Sequence, residues 1–346
     1  MRLLPDPDAL EFAGAIRGLL SDAADADALR AAWDSVTDGT GAAEGRIPGL
    51  WKRLADAGVL GLTVPERHGG AGTDVTAAVP VLVELGRAVV PEPLVATLAG
   101  VALLVSAGGP VADEWLPRVV SGDATLAIGQ AHVPQVVGGR WADLFLIADD
   151  RGIRAVPRGD AQVEHQPALD PGAGFARVSC AADAGAMLDG ADGYAAFDLA
   201  CVVAAAELVG LAEAMLDMSV RYAGQREQFG KPIGSFQAVK HQLADVYVGT
   251  AFALPVVHRA AWSVARALPS RQRDVSHAKC AATSASERAA RAALQVHAGI
   301  GYTYEHDLHM WMKRTWTLAS QWGGADFHRS RAAAAVLADD SPPRVP

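Results

Sequence analysis

The chain has 346 residues, 51% of them apolar and only 6% aromatic, enough to bury a core spread over two or three domains. Its net charge of −9 contains no block of like sign, which argues against a nucleic-acid binder and leaves any anion binding to locally placed arginines. Three scattered cysteines (Cys180, Cys201 and Cys280) lack metal or disulfide spacing, and Met1–Asp6 lacks the apolar core of a signal peptide. No uncharged apolar run of about 20 residues stands out. The expectation is a cytoplasmic protein without membrane insertion.

From Asp8 to about Leu116 the apolar spacing is helical, interrupted by a loop at Pro65–Gly72. Ala78–Leu85 and Pro93–Val105 read as packed helices on either side of a proline-bounded turn, so residues 1–122 form a helical domain. Short apolar runs then alternate with Gly, Pro and Asp clusters: Thr125–Ile128, Leu144–Ile147, Ile153–Val156 and Ala176–Val178. This texture predicts a small β domain over residues 123–192. Helical periodicity returns near Ala195, where Leu208, Leu211, Met215, Ser219 and Tyr222 trace one buried face. Gly230, Pro232 and Gly234 break that helix, and Ser235 is placed to cap the next one, starting near Phe236. An alanine-rich helix over Ala282–Val296 ends at Gly299 and Gly301. Residues 193–338 are therefore a helical bundle, and 339–346, with three prolines, a disordered tail. The fold class is mainly α with a small β domain.

The segment Arg221–Gln237 carries the strongest chemical signal. A helix end bearing Arg226, a Phe229-Gly230 turn and Gln237 presents a guanidinium, a ring and an amide at one corner. A guanidinium suits a pyrophosphate through bidentate hydrogen bonds, and a ring suits a base. A plain helical hairpin with a solvated arginine fits the same residues. Gly69-Gly70-Ala71-Gly72 lacks the βαβ context of a dinucleotide loop and reads as a turn. His306 and His309 lack HExxH spacing and a third ligand, so no metal is expected.

The run R-x-Q-F-G-x-P-I-x-x-F-Q at 226–237 resembles the flavin-binding signature of the acyl-CoA dehydrogenase family. Gln295–Tyr302 and Glu305–His309 are similar to its second signature, with Ala298 where the family usually has glycine. Val64-Pro65-Glu66, Gly69-Gly70, Gly72 and Glu84-Leu85-Gly86-Arg87 are similar to its N-terminal pattern. The resemblance spans nearly the whole chain. It implies a helical domain, a middle β domain and a four-helix bundle, with FAD held between subunits. By the same resemblance, Arg226, Phe229 and Gln237 contact the pyrophosphate and adenosine half of a flavin held mostly by the neighbouring subunit, and Gln295 and Gly299 reach the adenosine end of a flavin too.

Against that family, two departures stand out. The glutamate that removes the α proton of the acyl thioester falls at Trp322, and the alternative position on the long helix falls at Ala200. Asp198, Glu207 and Asp326 are reserve candidates, with Glu207 read first as a structural, hydrogen-bonded group. The middle domain also lacks the Thr/Ser-Glu-Pro loop and Trp-Ile-Thr/Ser strand that cradle the isoalloxazine ring, passing from Thr125–Arg140 directly to Trp141. The reading that follows is a subunit without its own base, paired with a full-length homologous subunit in an α2β2 enzyme. The resemblance implies an acyl-CoA substrate, steroid-like or otherwise bulky, and an electron-transfer flavoprotein as acceptor. A self-sufficient homomer with a relocated base and a non-catalytic scaffold are the alternatives.

Overall fold

The structure, a computed structural model, describes residues 5–38 and 45–337. The expected disordered tail, 339–346, lies outside the described residues, as does the 1–4 part of the signal-peptide reading. The N-terminal block contains α1 (Pro7–Ala23), α2 (Ala26–Asp38), α3 (Leu50–Asp56), α4 (Val75–Arg87), α5 (Leu94–Ala107) and α6 (Gly109–Val120). Aspartates start three of them: Asp6 accepts the Asp8 N–H at 3.0 Å, Asp25 the Ala28 N–H at 2.8 Å and Asp74 the Thr76 N–H at 2.9 Å. Pro65–Gly72 forms a turn around a single 3₁₀ segment, Glu66–His68.

The middle of the chain folds into two small sheets. In the first, β1 (Leu126–Gln130), β3 (Leu144–Asp149), β4 (Gly152–Pro157) and β7 (Ala186–Met187) lie in the order β1-β3-β4-β7, with β1 parallel to β3. In the second, the order is β2 (Gln135–Val136), β6 (Ala176–Cys180), β5 (Ala161–His165). Val136, Phe145, Val156 and Val178 form the core of this domain.

α7 (Gly193–Gln225) is 33 residues long and packs against α4, α5, α8 (Gln237–Ala265) and α9 (Arg271–His297). It is long and apolar enough to cross a membrane, but most of it is buried inside the protein. Every residue from Leu199 to Ala212 is buried, so alanine and glycine fill positions where a larger side chain would push its neighbours away. Gly86 of α4 and Gly210 of α7 show why: a Cβ on Gly86 would lie 2.2 Å from the Glu207 carbonyl oxygen. One on Gly210 would lie 2.0 Å from that of Val83. α10 (Leu308–Ser320) and α11 (Ala325–Leu337) complete the bundle. α8 leaves Tyr247, Val248 and Phe252 on its outer face, 64%, 50% and 75% exposed.

Ser235 does not cap α8. Its hydroxyl donates back to the Pro232 carbonyl at 2.7 Å inside a 3₁₀ turn, and extended Phe236 precedes the helix without a side-chain cap.

Candidate functional site

The chain topology brings the end of α7, the start of α8 and the end of α9 to one end of the bundle. The joint between α7 and α8 is a two-residue hairpin, β8 (Glu227–Gln228) paired with β9 (Lys231–Pro232). Its turn residues have left-handed backbones, Phe229 at φ 53° and Gly230 at φ 78°. A turn with two positive φ values matches the twist of a hairpin, and glycine accepts it freely whereas phenylalanine is strained there. The result is a ring 92% exposed to solvent, held edge-on to Phe236 at 6.2 Å, while Lys231 lies 4.5 Å over the Phe236 ring.

Arg226 stops α7. Its N–H donates to the Tyr222 carbonyl and its own carbonyl accepts from Ile233, both at 2.8 Å, leaving the side chain exposed. Beneath it Tyr222 stacks on His297 at 4.5 Å, and Ala223, Leu243 and Val296 form a small core joining the three helix ends. Gln237, Gln295 and Gly299 are also exposed, and a Cβ on Gly299 would meet nothing within 4 Å. Ala298, the departure from glycine, takes φ 52° and ψ −132°, a conformation that disfavours any Cβ. An exposed guanidinium, a fixed ring and two amides have the chemistry to hold the pyrophosphate and base of a dinucleotide.

The candidate base positions are arranged differently. Trp322, at φ 56° between α10 and α11, packs edge-on to Phe197 at 6.3 Å. Its carbonyl accepts from His328 Nε2 at 2.9 Å and Cys201 Sγ at 3.4 Å. Buried Lys279 donates to the carbonyls of Ala319 and Gly323 at 3.1 and 3.3 Å. Burial pushes Lys279 down to about 8, Cys201 up to about 12 and His328 down to about 4, so the cysteine and histidine stay neutral. Asp198 is fully buried between Arg331 at 2.5 Å and Arg271 at 2.7 Å, a structural ion cluster. Asp326 is exposed in the first turn of α11, beside Arg329 at 3.0 Å.

Glu207 is the one reserve candidate that reaches an interior space. It lines a cavity of about 30 Å³ with Glu92, Leu94, Gly172, Arg314 and Gln321. Its carboxyl makes no hydrogen bond among the described residues, where a hydrogen-bonded group was expected, and burial pushes it up to about 7. The surrounding charges were not anticipated. Arg46 holds Glu92 at 2.5 Å, and Arg314 holds Asp170 at 2.5 Å and donates to the Val90 carbonyl at 2.8 Å. One signal was available: Met310, Arg314 and Leu318 share a face of α10, so a charge sits on an apolar line.

The helical block, paired small sheets and long-helix bundle define the acyl-CoA dehydrogenase fold, and the chain belongs to that family of flavin-dependent oxidoreductases. Residues 19–123 match the family's N-terminal domain and residues 194–337 its C-terminal domain. The chain is 35% identical over 300 residues to Acyl-CoA dehydrogenase IpdE2 of Mycolicibacterium smegmatis, covering 86% of this chain and 89% of that one. Among solved structures, the ChsE4-ChsE5 complex from Mycobacterium tuberculosis superposes with a TM-score of 0.83 at 26% identity, over 99% of this chain and 100% of the other. The Tcur3481-Tcur3483 steroid acyl-CoA dehydrogenase shares the fold, with a TM-score of 0.84 at 24% identity over 96% and 98%.

Proposed function

We propose that this chain is a subunit of a heteromeric FAD-dependent acyl-CoA dehydrogenase that introduces an α,β double bond into a CoA thioester. The observation that carries this reading is an asymmetry. The end of the bundle bearing Arg226, Phe229 and Gln237 is open, whereas the interior cavity at Glu207 has room for about one or two waters. That volume is too small for an acyl chain, and the acid nearest Trp322 in sequence, Asp326, is exposed and paired with Arg329.

Under this reading Arg226 holds the pyrophosphate of a flavin seated mainly in the neighbouring subunit. Phe229 packs on the adenosine, Gln237 and Gln295 hydrogen-bond it, and Gly299 leaves room for it. When bound, FAD accepts the hydride from the β carbon; the α proton goes to a carboxylate of the partner. The exposed Tyr247, Val248 and Phe252 support a partner on this bundle, since a contiguous apolar face of that kind marks an interface. The name of the steroid enzyme supports a steroid-derived or similarly bulky acyl group, and the same reading takes an electron-transfer flavoprotein as acceptor.

Flavin absorbance tests the reading on the chain expressed alone and co-expressed with a full-length homologous subunit. Little flavin alone and about one per pair together is expected. Full flavin and turnover in the isolated chain would overturn it and favour a homomer in which Glu207 is the base.

A further inference from the structure

Three polar side chains converge on the small cavity, and two of them carry a buried atom without a hydrogen-bond partner. Glu92 has a fully buried side chain, yet its Oε1 makes no hydrogen bond among the described residues. The Gln321 Nε2 group is likewise buried and unpaired, and the Glu207 carboxyl faces the same space. Buried polar atoms are nearly always satisfied, so two around one cavity call for a common partner.

The size and chemistry of that partner are constrained. A water molecule needs about 10–15 Å³ of such space and two to four polar contacts, and the cavity offers about 30 Å³. The partner must accept from the Gln321 amide and donate to the Glu92 carboxylate, which water does and a methylene chain does not.

The charges around it reinforce this. Arg46, ahead of α3, faces Glu92; Arg314 of α10 faces Asp170 and lies beside Glu207. The remaining walls, Leu94–Ala96 of α5, Val137 and Ala173, carry no charge. Three acids, Glu92, Glu207 and Asp170, thus lie around two guanidiniums.

We propose that this cavity is a built site for about one or two internal water molecules that bridge Glu92, Glu207 and Gln321, and that it bars an acyl chain from the interior of this subunit. An apolar chain there would strand the Glu92 Oε1 and Gln321 Nε2 atoms, so the polar lining opposes it by chemistry as well as by volume. Burial, which pushes both glutamates up to about 7, is consistent with a carboxyl that keeps its proton near neutrality. The inference stands apart from the flavin assignment, because it concerns only side chains within this chain.

Infrared difference spectroscopy between about pH 6 and about pH 9, on either side of the value near 7, tests it on the full-length chain. Two signals are expected: a protonated-carboxyl stretch present at the lower pH and lost at the higher, and a water O–H band that shifts in oxygen-18 water. Glu207→Gln should remove at least half of the carboxyl signal, and Gln321→Met should displace the water band. The isotope measurement on the unmodified chain needs no variant to fold. Absence of an isotope-sensitive water band, or a carboxyl signal untouched by Glu207→Gln, would overturn the proposal.

Discussion

Arg314 and Asp170 meet across the boundary between α10 and the small β domain, Nε to Oδ2 at 2.5 Å, with side chains 6% and 0% exposed. The pair also fixes the Pro171–Ala173 turn, since a Cβ on Gly172 would lie 2.6 Å from the guanidinium. Removing one partner leaves an uncompensated buried charge, whereas replacing both with apolar groups does not. Asp170→Ala is expected to destabilise the chain by about 3–5 kcal/mol in urea unfolding. The double variant Asp170→Leu, Arg314→Met should recover most of that loss.

Burial pushes Glu92 and Glu207 up from the usual 4.5 to about 7. Between those values the folded chain binds more protons than the unfolded one, so this contribution is whole below about pH 4.5 and lost as pH rises through about 7. Each group contributes a slope of at most about 1.4 kcal/mol per pH unit. Melting temperature followed from about pH 5 to about pH 8 should therefore fall, and Glu207→Gln should flatten the curve and exceed the unmodified chain at the upper end.

Ala298 holds a conformation suited to glycine at the end of α9. Ala298→Gly should raise stability by about 1 kcal/mol, because relief of strain exceeds the extra freedom of the unfolded chain. A higher urea midpoint at unchanged slope is the expected signature.

Phe229 and Arg226 lie exposed and support little else in the fold. Alanine at either position should change the stability of the isolated chain by less than about 0.5 kcal/mol. In the assembled enzyme, Arg226→Ala should weaken flavin retention at least about tenfold, since hydrogen bonds to a charged group are the stronger class. Retention unchanged by both substitutions would remove them from the flavin site.

Lys279 ties the two sides of the α10–α11 turn through the Ala319 and Gly323 carbonyls. Lys279→Met should raise amide exchange in residues 320–324 by about tenfold or more, while α7 stays protected.

What the sequence reveals here divides by the range of the interactions. The break after α7 is visible because Gly230 and Pro232 act on their own backbones. The stretch of α7 from Leu208 to Tyr222 shows a period; the stretch before it from Leu199, buried all round, shows none and reveals only that it is apolar. Ser235 misleads because a 3₁₀ turn takes its hydroxyl before the helix begins. The corner bearing Arg226, Phe229 and Gln237 is compact in sequence, so its geometry is local. The charged cluster at the small cavity is not, since Arg46, Glu92, Asp170, Glu207 and Arg314 come from five separate segments. No short motif announces such a cluster.

The reciprocal glycines Gly86 and Gly210 seat α4 and α7 backbone against backbone, with no side chain between them to act as a bearing. Two helices so joined slide or swing only by breaking their contact, which couples the first and last blocks of the chain into one stiff brace. Any opening and closing during a catalytic cycle must then be carried by loops or by whatever the brace is bolted to, with this chain as the fixed frame.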